Sequence, residues 1–341
     1  SGFYGIEFDG GGNTTALTLV NVTLNINSTW PGVASARYVS ITKSTLMIQT
    51  GPKANYTAFY QLNSITFSNG AENYNVYNSD SPTTPVTTDK THYSTYFYKY
   101  IKIEPVEGTP YDVWVAGIQL DSTNTTIDNN DNFAVTGSAT YDPTSNTLTL
   151  DNFSYTGADY YLHYIKYTSE DDEYYHKYAA IYSKGDLNIV LNGENTLNCA
   201  IIDEDSDRIY KTCEGISVDG ALTIGGGTLN ATVIKGNVIV ANTLTIDNAI
   251  LNSNSTGINI FLYGDAIISN STVFAKGAAP VIAIGYGYEL EITNSTVVIQ
   301  SEDIYGFTNY STITIDENSV LEISVSYCAI QNTITVNYSP N

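Results

Sequence analysis

One short pattern, an apolar strand, a polar turn and a second apolar strand, recurs between Glu214 and Cys328. The copies read ALTIGGGTLNAT, NTLTIDNAILNS, DAIISNSTVFAK, ELEITNSTVVIQ and TITIDENSVLEIS, and their anchoring isoleucines are Ile224, Ile246, Ile268, Ile292 and Ile315, at steps of 22, 22, 24 and 23 residues. No amphipathic helical period accompanies the pattern, and the step is too short for a helix-turn-helix unit. One coil of a solenoid fits: each coil lays short strands over those of the coil below, so that Ile, Val and Leu stack inward while Thr, Ser and Asn face water. The fold class is therefore all-β, a right-handed parallel β-helix of about 22–24 residues per turn with an inserted short antiparallel β module. The hand follows from the general preference for right-handed crossovers.

The same pattern opens the chain, in ALTLVNVTLNI and YVSITKSTLMIQ, with Leu19 and Ile41 again 22 apart. Residues 1–104 are expected to form one β-helix segment with a surface excursion at 71–100, rich in Ser, Thr, Pro and Asn and ending in an aromatic strand. Residues 105–157 read as the antiparallel module, short strands joined by tight turns such as Asp142-Pro143 with Asn146, leading into new solenoid turns. Residues 158–341 then resume the helix, with insertions at 158–178 and 200–213.

Charge excludes several roles. Lys and Arg number 13 against 35 Asp and Glu, a formal charge of −22, which would repel nucleic acid and anionic membranes. No apolar run approaches the roughly 20 residues of a membrane span, so no membrane insertion is expected. Only 14% of residues are charged while tyrosines number 29, the uncharged polar coat expected of an extracellular or cell-surface protein. Any leader would have been removed ahead of residue 1.

Candidate sites are few. A β-helix lyase needs carboxylates holding Ca2+ beside a basic residue, and a hydrolase needs closely placed Asp residues. Lys235 and Lys276 stand isolated on the regular turns, while Asp247 and Asp316 occupy turns where Asp is common, so the expected role is non-catalytic. Asp203, Asp205 and Asp207 alternate like the start of a calcium loop, and Asp128 with Asp131 forms a second candidate; solvated acidic loops are the alternative for both. Cys199 and Cys213 would close a loop of about 15 residues as a disulfide, worth about 3 kcal/mol, or else are two buried thiols. Tyrosines recur near strand alternation in Tyr160, Tyr161, Tyr164 and Tyr167 and in Tyr93, Tyr96 and Tyr98, offering apolar faces with polar tips to a sugar or a partner protein, or covering a solenoid face. Asn-X-Ser/Thr triplets are dense, Asn21, Asn270 and Asn294 among them; they suit a glycosylated layer, but a solenoid whose turns favour Asn beside Ser and Thr also generates them.

The segments YDVWVAGIQL, SATYDPTSNTLTLDN and GDLNIVLNGENTL, with Trp114 and Tyr141-Asp142-Pro143, resemble the surface β-helix proteins of clostridia and related gut or rumen bacteria. More loosely they are similar to clostridial polygalacturonate-binding β-helix proteins. The resemblance covers residues 100–341 and implies a secreted or wall-attached protein that binds carbohydrate without catalysis. In such proteins a segment like YDVWVAGIQL begins a β-helix, so solenoid ahead of it implies two helices in tandem. Strand-like ends at Phe3, Tyr4, Ile6 and Phe8 and at Ile334 and Val336 would leave edges able to pair with copies of the same chain, head to tail. The functional expectation is thus a structural or adhesive surface β-helix, filament-forming or binding polysaccharide with the help of Ca2+.

Overall fold

The computed structural model describes residues 5–7, 15–34, 36–51, 57–67, 70–87, 89–129, 131–132, 134–157, 160–167, 173–200, 209–278, 281–285, 287–301, 305–308, 312–326, 328–330 and 335–339. For 7, 160–167, 173–176, 209–211, 305, 307–308, 328–330 and 335–339 it describes the backbone alone. The expected parallel β-helix is present, and no α-helix occurs among the described residues. The chain divides into two compact units, Ser1–Thr109 and Pro110–Asn341.

In the second unit each coil presents three faces. On the second face Ile189, Ile224, Ile246, Ile268, Ile292 and Ile315 lie in register, each over the last. Those from Ile189 to Ile292 are at most 1% exposed, and Ile315 packs on the same core. The anchoring isoleucines of the repeat are therefore one continuous inward column. Full burial of each contributes roughly 1.5–3 kcal/mol. On the third face the inward residues include Leu229, Leu251, Val273 and Val297.

The corner between the second and third faces is built on a shared plan. Asn248, Asn270 and Asn294 all have positive φ, 53°, 50° and 45°, and in the first unit Asn21 (52°) and Lys43 (44°) take that place. Asn reaches the left-handed region with less strain than most residues. The residue after it points inward, and where it is Ser its hydroxyl joins two coils. Ser271 Oγ accepts the Ala249 N–H, Ser295 Oγ the Ser271 N–H and Ser319 Oγ the Ser295 N–H, each at 3.1 Å. Ser44 Oγ accepts the Val22 N–H at 3.1 Å in the first unit. The asparagine amides stack as well: Asn294 Nδ2 donates to Asn270 Oδ1, and Asn270 Nδ2 to Asp247 Oδ1, both at 2.9 Å. The Asn-Ser-Thr triplets at Asn270 and Asn294 thus answer to corner geometry.

Antiparallel strands close one end of each unit. In the first, Thr23–Ser28 and Thr45–Thr50 are parallel, but Tyr100–Pro105 adds antiparallel to Thr45–Thr50 and Tyr74–Asn78 adds antiparallel to it. This hairpin buries Tyr74, Val76, Ile101 and Ile103 over the core. The division falls after Thr109 because Pro105 still pairs with Tyr74. In the second unit Pro110–Val115 lies antiparallel to 181–183, and Thr126–Asp128, Val135–Asp142 and Thr147–Thr156 form an antiparallel meander. The last of these then pairs parallel with Leu187–Ala200 and starts the coil.

Replacing Ser295 with Ala removes the acceptor for the buried Ser271 N–H and is expected to destabilise the second unit by about 1–3 kcal/mol. Urea unfolding followed by circular dichroism checks this. A midpoint equal to that of the parent chain would show that the serine column does not hold the coils together.

Candidate functional site

Strand alternation on the first face of the second unit sends Ile216 and Val218 into the core and turns Ser217 outward. The register carries that outward place from coil to coil. Trp114 pairs with Tyr182, Tyr182 with Ser217, Ser217 with Val240, Val240 with Phe261, and Phe261 with Ala283. Adjacent members are about 4.8 Å apart along the stacking direction. Trp114, Val240 and Ala283 are shielded, at 7%, 8% and 1% exposure, and stand outside the core cluster. Tyr182 and Phe261 are half-buried.

Two further aromatic residues widen this row at the corner toward the second face. Tyr263 is 57% exposed and Tyr288 41%. Phe261 and Tyr263 meet edge to face, 5.0 Å between centroids, and Trp114 and Tyr182 lie tilted at 5.4 Å. Tyr288 rests on the backbone of Gly285, where a Cβ would come within 3.0 Å of the ring. Tyr182 donates its hydroxyl to Asp219 Oδ2 at 2.8 Å, and Lys184 sits 5.1 Å from the Trp114 ring while pairing with Asp112 at 3.1 Å. Apolar ring faces with hydroxyl and carboxylate groups beside them suit a sugar, whose C–H faces stack on aromatic rings while its hydroxyls hydrogen-bond at the edge.

Little in the sequence signals this row. Measured back from the anchoring isoleucine of the same coil, Val240, Phe261 and Ala283 lie 6, 7 and 9 residues away, so the drift hides the column. Tyr182 and Ser217 are separated further by the insertion at 200–213. Aligning the inward residues of the first face, Ile216, Ile239, Ile260 and Ile282, would have exposed it.

The tyrosines singled out from the sequence fall elsewhere. Tyr160, Tyr161, Tyr164 and Tyr167 lie on the strand Tyr160–Tyr167, which forms an antiparallel hairpin with Glu173–Ser183, and their side chains lie outside the description. Tyr93 and Tyr96 are not on a strand: Tyr93–Tyr96 is a 3-10 helix capped by His92, whose Nδ1 accepts the Ser94 N–H at 3.3 Å. The expected aromatic strand begins only at Tyr100. Tyr96 is fully buried against Phe59 and donates its hydroxyl to Lys90 O, so it offers no contact surface. Burial, reinforced by Asp89, pushes its phenol well up. Tyr93 is 41% exposed and Tyr98 half-buried.

Asp128 and Asp131 shape a turn: Asp131 Oδ2 accepts the Asp128 N–H at 3.1 Å, and Asp128 O accepts the N–H groups of Asp131 and Asn132. Among the described residues no group of three His, Cys, Asp or Glu side chains is placed to hold a metal. Asp203, Asp205 and Asp207, like Phe3, Tyr4, Phe8 and Ile334, lie outside the described residues. Ile6 pairs parallel with Val33, and Val336 with Ile313.

The disulfide between Cys199 and Cys213 is not formed; both are buried thiols. Cys199 lies in register with Val233 and Cys213 with Gly236, so the two occupy different places around the coil. Burial first, and then Glu214, pushes the Cys213 thiol up to about 11.

No family model, no curated protein and no solved structure matches the chain.

Both Cys199 and Cys213 are expected to resist iodoacetamide at neutral pH in the folded protein and to react fully in denaturant, as read by mass spectrometry. Because the folded Cys213 thiol ionises above its ordinary value of 9.0, its contribution to stability is complete below that pH and is lost as pH rises toward about 11. Rapid labelling of the native protein at either position would contradict the burial.

Proposed function

We propose that this chain is a non-catalytic, extracellular adhesive β-helix that holds a polysaccharide along the aromatic row of its second unit. The observation that carries this reading is the set of partly exposed rings on one rigid scaffold, Tyr182 and Phe261 in the outward column of the first face with Tyr263 and Tyr288 at its border, while Trp114 and Val240 of the same column lie shielded. Preorganised rings lose little conformational freedom on binding, which favours recognition of a long, weakly structured polymer. The low share of charged residues and the uncharged polar faces support display in the extracellular medium. The resemblance of the framework segments to bacterial surface β-helix proteins points the same way.

Support for an adhesive role also comes from how carboxylates are used. Asp247 accepts from Ser269 and Asn270, Asp316 from the Asn294 N–H, and Asp142 from Ser145 and the Thr144 N–H. These groups hold turns together. The Ser269 and Asn270 contacts keep the Asp247 carboxyl below its ordinary range, and those of Ser145 and Thr144 do the same for Asp142.

End-to-end stacking of copies is a second proposal: Ile6–Glu7 pairs parallel with Val33–Ala34 and Thr335–Ser339 pairs parallel with Thr312–Asp316, the same pairing by which coil lies on coil within each unit and by which a coil of a second copy would be laid. Sedimentation over a concentration series is expected to show growth of linear species, and a constant monomer would end this second proposal.

For the adhesive reading, Phe261→Ala and Tyr263→Ala are each expected to weaken retention on immobilised polysaccharide by about tenfold or more, the loss of roughly one stacked ring. Little change in melting temperature is expected, since neither ring belongs to the core cluster. Affinity electrophoresis through gels containing a panel of neutral, acidic and amino polysaccharides makes the measurement. Equal mobility of parent and variants in every gel would discard the aromatic row as the binding surface.

A further inference from the structure

The aromatic row has an acidic border on one side. At the corner between the first and second faces stand Asp112, Asp186, Asp219, Asp265 and Glu289, all exposed. Three of them sit directly beside a ring in space or in sequence. Asp219 accepts from the Tyr182 hydroxyl at 2.8 Å, Asp265 lies two residues past Tyr263, and Glu289 follows Tyr288. Backbone contacts steady two of the carboxylates: Asp186 Oδ1 accepts the Ala221 N–H and Asp265 Oδ1 the Glu289 N–H, both at 2.8 Å. Among the described residues of this corner, 184–186, 219–220, 242, 263–265, 285 and 287–289, Lys184 is the one basic side chain, and it pairs with Asp112 at 3.1 Å.

Carboxylates on the coils of Tyr182, Ser217, Phe261 and Ala283, with Asn242 on the coil between Ser217 and Phe261, line one edge of the aromatic row with negative charge, on a chain whose formal net charge is −22. A polymer of uronic acids laid on the rings would bring its own carboxylates against this border and be repelled. A neutral polymer would gain stacking and hydrogen bonds alone. A polymer of amino sugars would present ring faces to Tyr182, Phe261 and Tyr263 and ammonium groups both to the carboxylates and to the aromatic faces, where a cation is attracted by the ring quadrupole.

Resting on the adhesive reading above, we propose that the ligand of this row is a cationic polysaccharide, a chain of amino sugars with free amines. The rings select a sugar polymer over a merely cationic one, and the acidic border selects the deacetylated form over the acetylated form. The site uses charge complementarity along the stacking direction, so it reads a run of amines and not a single one.

Three soluble probes distinguish the parts of this claim, each titrated against the parent chain by isothermal calorimetry at low and at moderate salt: glucosamine oligomers, their N-acetylated counterparts of equal length, and oligolysine of matching charge. Glucosamine oligomers are expected to bind about tenfold tighter, or more, than the N-acetylated series at low salt, with the advantage shrinking as salt screens the border. The triple variant Asp219→Asn, Asp265→Asn, Glu289→Gln is expected to remove that advantage, so that glucosamine and N-acetylated oligomers bind alike. Phe261→Ala is expected to weaken both sugars together. Equal affinity for acetylated and deacetylated oligomers would overturn the charge preference and leave the adhesive reading standing. Binding of oligolysine as tight as that of the glucosamine oligomers would overturn the selection for sugar. Binding of none of these, nor of any polymer in the gel panel, would overturn the adhesive reading itself.

Discussion

Parallel stacking in register demands that every coil close on itself with nearly the same path, and the sharpest constraint lies at the corner between the second and third faces. There the backbone turns through the left-handed region in most coils, and a polar group facing inward is satisfied by the coil next to it. Asn supplies the first with little strain, as at Asn248, Asn270 and Asn294, and Ser supplies the second, as at Ser271, Ser295 and Ser319. Because the serine of one coil serves the N–H of another, neither coil is complete alone. These corners hold neighbouring coils at the same height, and the isoleucine column stacks in register on that basis.

A corner so constrained leaves the other positions free. Outward places on the faces do not pack in the core, and their identities vary from coil to coil: Thr223, Thr245, Ile267 and Glu291 follow one another in a single row of the second face. This freedom is what permits a row of large apolar side chains on the first face without harm to the fold. Rings on a scaffold of this kind are held stiffly and spread along one direction, properties that suit a polymer better than a compact ligand.

The antiparallel strands show the same logic in reverse. A β-helix coil with nothing over it exposes backbone groups and core residues, and a strand running the other way covers both without continuing the coil. Tyr100–Pro105 does this in the first unit and Pro110–Val115 in the second. Tyr96, just ahead of the second strand of the hairpin in the first unit, turns inward, so the tyrosines Tyr93, Tyr96 and Tyr98 that look like a surface motif in the sequence are partly taken up by packing. Trp114 takes its place in the aromatic row only because the strand carrying it pairs with 181–183.

The sequence by itself determined the architecture. A period near 22, with isoleucine at one phase and Asn-Ser at another, has one simple reading, since each coil repeats the same local geometry and local geometry is what residue type controls. It also showed the antiparallel module around Trp114, through its alternation and its turn residues. It did not show that Tyr93–Tyr96 forms a 3-10 helix with Tyr96 inside, nor that Cys199 and Cys213 sit at different places around the coil. Those depend on which residues of other strands lie alongside. The candidate site belongs wholly to that second class. Trp114, Tyr182, Phe261, Tyr263 and Tyr288 come from strands and turns scattered along the second unit, at offsets that drift with every change in loop length. Only the hydrogen-bonded register of the tertiary structure, which cancels those changes by aligning backbone with backbone, brings them onto one surface.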